Sequence, residues 1–78
     1  MAALDQLYGI ARSEAESLSP RAVESLLQSA YQAYVSVAGR DPGYQAFLDM
    51  ANSSGASLGD RLRPRLTEAL QNVRAGRF

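Results

Sequence analysis

The side chains able to move protons or bind charge in this 78-residue sequence are carboxylates, tyrosines and arginines only, because His, Cys and Lys are all absent. That removes the usual general base, the thiol nucleophile and the Schiff-base amine, and it takes away the two best ligand types for zinc. The carboxylate di-metal signature of helical bundles needs a Glu-x-x-His pair, which cannot occur here. Glu14 and Glu16 are two residues apart and face different ways on a helix, and no other two acids are close enough in sequence to form a pair. No strand pattern precedes a glycine-rich loop that could cradle phosphate. The sequence therefore assigns no catalytic, metal or cofactor residue, and a non-enzymatic protein is expected.

Two groups of residues could act by binding. Arg61, Arg63 and Arg65 alternate in the stretch RLRPR. In an extended segment all three would share one side, whereas on a helix Arg63 points away from the other two, and Pro64 decides which geometry holds. A faint helix-turn-helix spacing at Ala51 and Gly55 fails because Arg61 and Pro64 fall where the second helix needs apolar residues. The simpler reading sets these arginines on a solvated face beside acids such as Asp60 and Glu68. The tyrosines are the second group. Tyr31 and Tyr34 are three apart, with Tyr8 and Tyr44 on neighbouring segments. They suit the end of a bundle core, ring buried and hydroxyl at the edge, and Tyr is also enriched at protein interfaces.

Positioning these groups falls to a chain whose pattern is helical throughout. Leu4, Leu7, Tyr8, Ala11, Ala15 and Leu18 recur at spacings of three and four, predicting a first helix over 3–18, with Gly9 inside it at a cost of about 1 kcal/mol unless another backbone approaches there. Ser19-Pro20 is a helix start and Gly39 a helix stop, which bounds a second helix at 20–38. Asp41-Pro42 repeats the start signal, and Asn52-Ser53-Ser54-Gly55 suggests an end, predicting a short helix over 42–53. Leu58, Leu62, Leu66, Leu70 (or Ala69) and Val73 form a ladder over 57–75, with a kink or break at Pro64. The expected fold is all-α, a small bundle of four helices in a single domain over 1–78.

The second helix carries Val23, Leu26, Leu27, Ala30, Tyr31, Ala33, Tyr34, Val35, Val37 and Ala38, an apolar band wider than the stripe of roughly 100° on an ordinary surface helix. It is the expected hub of the bundle. Its short and interrupted neighbours are expected to leave part of it uncovered around Tyr31, Tyr34 and Val35, beside Leu27.

Composition frames the function. A single core of this length rarely supplies more than about 3–5 kcal/mol, and with neither disulfide nor zinc to help, close helix packing or oligomerisation must make up the rest. Eight arginines balance eight acids, so net charge gives no case for nucleic acid or membrane. The charge is unevenly placed: residues 1–54 hold six acids and three arginines, residues 55–78 five arginines and two acids, about −3 against +3. The longest uncharged run, Ser25 to Gly39, is too short and too polar to span a bilayer. The N-terminus shows no signal-peptide pattern, so a cytoplasmic location is expected.

The expected function is a protein–protein interaction module, an adaptor, chaperone, inhibitor or small subunit or a homodimer, with Leu27, Tyr31, Tyr34 and Val35 at the interface. The alternative is a nucleic-acid-binding regulator using Arg61, Arg63 and Arg65, whose binding would weaken steeply with salt.

Overall fold

A computed structural model describes residues 2–78; Met1, the first residue of the expected domain, lies outside the described residues. Every regular element is helical: α1 spans Ala2–Tyr8, α2 Arg12–Ser17, α3 Pro20–Ala38, α4 Tyr44–Arg61 and α5 Arg63–Arg74. The protein is an all-α bundle, as the periodicity predicts, and the differences lie in where the helices break.

The helix over 20–38 forms between the expected residues. The Ser19 hydroxyl accepts from the Ala22 backbone N–H at 3.2 Å, Pro20 opens the first turn, and Gly39 closes the last with φ 74° and its N–H on the Val35 carbonyl. The first helix differs from the expected 3–18. Gly9 adopts φ 65°, Ala11 is extended, and the segment divides into α1 and α2. Gly9 ends α1 in the left-handed conformation, and the Arg63 guanidinium donates to the Leu7 carbonyl at 3.2 Å, satisfying an acceptor that this end leaves open.

The expected helix over 42–53 begins instead at Tyr44 and continues to Arg61. Asp41 does not cap it, because Gly43 occupies that position, and Asp41 Oδ1 accepts from the Gly43 N–H at 2.9 Å within the preceding turn. The turn-prone residues 52–55 produce a kink, with Ser54 at φ −139° and ψ 33°, rather than an end. Phe47, Ala51, Gly55, Leu58 and Gly59 are buried on one continuous face that carries the helix past it. The interruption expected at Pro64 falls at Leu62. Its N–H is shared between the Leu58 and Gly59 carbonyls, and Pro64 then sits in the first turn of α5, where its missing N–H is not needed. Leu58, Leu62, Leu66, Leu70 and Val73 are all buried, so the ladder holds across the break.

The centre of the bundle is α1 rather than α3. It packs against each of the other four helices, with Leu4 and Leu7 fully enclosed and Tyr8 buried. Ala51, Gly55 and Gly59 recur every four residues on α4, and the absence of side chains at the glycines lets the α1 backbone approach closely. A Cβ at Gly55 would meet the Gln6 side chain at 3.0 Å, and one at Gly59 would overlap the Leu7 carbonyl. The Tyr8 hydroxyl donates to the Leu26 carbonyl of α3, and burial pushes its pKa well above the ordinary tyrosine value. Arg74 binds Glu14 through Nε at 3.0 Å and Nη2 at 2.7 Å, tying α5 to α2 and joining the acidic and basic parts of the chain.

Candidate functional site

Four residues of α3, Pro20, Val23, Glu24 and Leu27, lie at successive spacings of three, one and three, so they form a stripe about two turns, or roughly 10 Å, long. Between Leu18 and Ser19 the backbone is extended, which turns α2 away from α3 instead of continuing it. The two helices, the Leu4 side of α1 and Tyr44 at the start of α4 enclose a groove of about 600 Å³ along this stripe. Leu4, Ala15 and Leu27 are buried at its base, and Leu18, Val23 and Tyr44 are half-buried along its walls. Among the described residues, the charged ones lining it are Glu16 on α2 and Glu24 on α3, both exposed.

The Tyr44 wall is held from behind. The Tyr31 ring meets Tyr44 edge-on at 5.4 Å and Phe47 at 5.6 Å, and Phe47 in turn meets Tyr34 at 5.7 Å. The Tyr31 hydroxyl donates to Asp41 Oδ1. That bond raises the Tyr31 pKa and, with the Gly43 N–H, lowers that of Asp41. The Tyr44 pKa is raised first by partial burial and then by the charge of Glu24.

The four interface residues expected from sequence are thus separated. Leu27 is 7% exposed and contributes its edge to the groove. Tyr31 supports Tyr44. Tyr34, only 6% exposed, belongs to the core and borders a different hollow with Met50, Ser54, Ser57, Leu58 and Arg61. Val35 is half-buried and lines neither. Of the remainder expected to be uncovered, Tyr34 is buried, with Phe47 packed against it, while Tyr31 and Val35 are half-buried. The groove's other wall residues, Glu16, Leu18, Val23 and Tyr44, are the part sequence reasoning missed. Its one local signal was the apolar pair Val23 and Leu27 at the N-terminal end of the wide band.

Nor does the fold gather Arg61, Arg63 and Arg65. Arg61 ends α4 beside Tyr34. Arg63 is half-buried between the Leu7 carbonyl and Asp60, the latter at 3.3 Å. Arg65 borders a shallow polar hollow between α3 and α5 with Ser29, Gln32 and Glu68. Among the described residues, no three Asp or Glu side chains are clustered to hold a metal ion, and no helix is long and apolar enough to cross a membrane.

Comparison of the chain with models of known protein families, with curated proteins and with solved structures finds no match.

Proposed function

We propose that this chain is a small, cytoplasmic, non-enzymatic protein–protein interaction module, acting as adaptor, chaperone, inhibitor or small subunit, and that it receives an apolar segment of its partner in the groove between α2 and α3. The observation that carries this reading is the groove itself: an apolar hollow of about 600 Å³ on a chain of only 78 residues. A large apolar concavity is the default binding site of a small domain. No buried residue among those described is polar, so the base of the groove offers apolar contact without a directed hydrogen bond. Apolar stripes of this spacing receive the side chains of partner helices. A second copy of the chain is the homodimeric form of the same proposal.

Val23→Glu puts a charge on the groove wall at a half-buried position, and Ser29→Glu serves as a control on another face of α3. Proteins captured from the native cell by the unaltered chain and by Ser29→Glu, and lost with an equally folded Val23→Glu, fit the groove reading. The same set held by all three baits refutes it. Sedimentation of the unaltered chain and Val23→Glu tests the self-association form in the same way.

The nucleic-acid reading has less support, because Arg63 is engaged within the fold while Arg61 and Arg65 face different neighbours. Absence of binding to mixed-sequence DNA or RNA at low salt disposes of it.

A further inference from the structure

We infer that the segment accepted by the groove is an amphipathic helix bearing cationic side chains beside its apolar stripe, an inference that rests on the groove being the binding site. The charges on the groove are of one sign and stand on opposite walls: Glu16 on α2 and Glu24 on α3. Neither forms an ion pair among the described residues. Arg12 is one turn from Glu16 but not within ion-pair distance, and Glu14, two residues before Glu16, is already bound by Arg74. The acids of α2 are therefore divided, one holding α5 and one left at the groove. Glu24 lines the groove together with Tyr44, so its exposed carboxylate stands at the rim.

Shape favours a helix over a compact ligand. The lining residues of α3 run for about two turns at the i, i+3, i+4, i+7 spacing that complements a docked helix. A small polar molecule would need fixed donors or acceptors at the base for orientation, and the buried residues there are apolar. With an apolar base and an acidic rim, discrimination among helices of equal hydrophobicity falls to charge. Rim charges act mainly on encounter rate and register, and exposed pairs contribute modestly to affinity.

The test uses three fluorescent eighteen-residue helical peptides with an identical leucine stripe and a polar face of Lys, Gln or Glu, titrated by anisotropy against the full chain at low salt. The Lys peptide should bind tightest, the Gln peptide roughly 3–10-fold more weakly, and the Glu peptide more weakly again, the size expected from two rim ion pairs. This order should collapse in Glu16→Gln/Glu24→Gln and in high salt. It should persist in the control Asp49→Asn/Glu68→Gln, whose exposed acids lie off the groove. Equal binding of the Lys and Gln peptides, or an order that survives Glu16→Gln/Glu24→Gln or collapses in the control, overturns the cationic assignment. Loss of Gln-peptide binding in Val23→Glu would still uphold the groove itself. If no peptide binds, or Val23→Glu binds all of them as the unaltered chain does, the groove reading falls and the cationic assignment with it.

Discussion

Gly59→Ala should be among the most damaging single-methyl changes available to this chain. At an exposed helix position the same change stabilises by about 1 kcal/mol, because alanine is the better helix former. At Gly59 the new Cβ would lie 3.0 Å from the Leu7 carbonyl carbon and overlap its oxygen, and both are backbone atoms, which cannot swing aside as a side chain can. Relief requires α1 to withdraw from α4 by about 1 Å, and close-packed interiors do not absorb such a shift without strain. Leu4 and Leu7, both fully enclosed, would lose contacts on that side. Overpacking of this kind costs about 1–3 kcal/mol and more where backbone must move. Against the propensity gain, a net loss of about 2 kcal/mol is expected, which lowers Tm by about 8–16 °C for a domain of this size. Gly55→Ala is the internal comparison. There the new Cβ meets the Gln6 Cβ at 3.0 Å and its Oε1 at 3.1 Å, with the Ala3 carbonyl oxygen at an ordinary 3.7 Å; the amide end can rotate away, and the Gln6 Cβ needs to give by only a few tenths of an ångström, far less than the Leu7 carbonyl at Gly59. Its Tm should stay within a few degrees of the unaltered chain. Circular dichroism melts and urea titrations of the two variants decide the matter. If Gly59→Ala melts at or above the unaltered chain, α1 does not lie against α4 in the way described, and its place at the centre of the bundle is wrong.

Three further outcomes follow from the same contacts. Arg63→Met removes the donor from the Leu7 carbonyl while keeping much of the stem, and should cost about 1–2 kcal/mol in urea unfolding, with faster hydrogen exchange concentrated in α1. Tyr8→Phe removes the bond to the Leu26 carbonyl and should cost about 1 kcal/mol at neutral pH. The fold favours protonated Tyr8, so its stabilisation is complete below the ordinary tyrosine value of 10.0 and declines as pH rises above it; Tyr8→Phe should flatten that alkaline loss in melts above pH 10. Asp41 is held in its charged form by Tyr31 and Gly43, so its contribution is present above the ordinary carboxylate pKa of 3.8 and fades as pH falls below it. Asp41→Asn should therefore melt lower than the unaltered chain at pH 7, and the gap should close in acid.

Local signals were legible in the sequence where the physics is local. Ser19, Pro20 and Gly39 bound α3 through bonds within a few residues of themselves, so its range was readable from type and spacing. The leucine ladder of residues 58–73 was equally readable as periodicity, and it survives the break at Leu62 because the buried face does. What resisted reading depends on distant partners. Gly9 reads as a tolerated glycine inside one long helix, whereas it ends α1 in the left-handed conformation, and the Leu7 carbonyl left open there finds its donor in Arg63, more than fifty residues away. Residues 52–55 are local turn formers, yet Gly55 is also where α1 makes its close approach, and packing of the buried face turned an expected end into a kink. The site divides along the same line. Leu27 and Val23 belong to a stripe visible on α3, whereas Glu16, Leu18 and Tyr44 come from three other stretches that meet only once the chain is folded.

The groove is a consequence of which helix took the centre. An apolar band as wide as that of α3 is fully covered only if α3 is surrounded, and here α1 is surrounded instead, because the glycines of α4 admit its backbone and Arg63 closes its end. Displaced to one side, α3 packs against α5 and, at its C-terminal half, against Tyr44 and Phe47 through Tyr31 and Tyr34. At its N-terminal half α1 reaches it through Tyr8 at Leu26, and α2, six residues long and turned away at Leu18, adds little. The stripe from Pro20 to Leu27 therefore keeps its apolar character without a full partner. The features that stabilise α1 and the feature that leaves the groove beside α3 open are thus the same arrangement seen from its two sides.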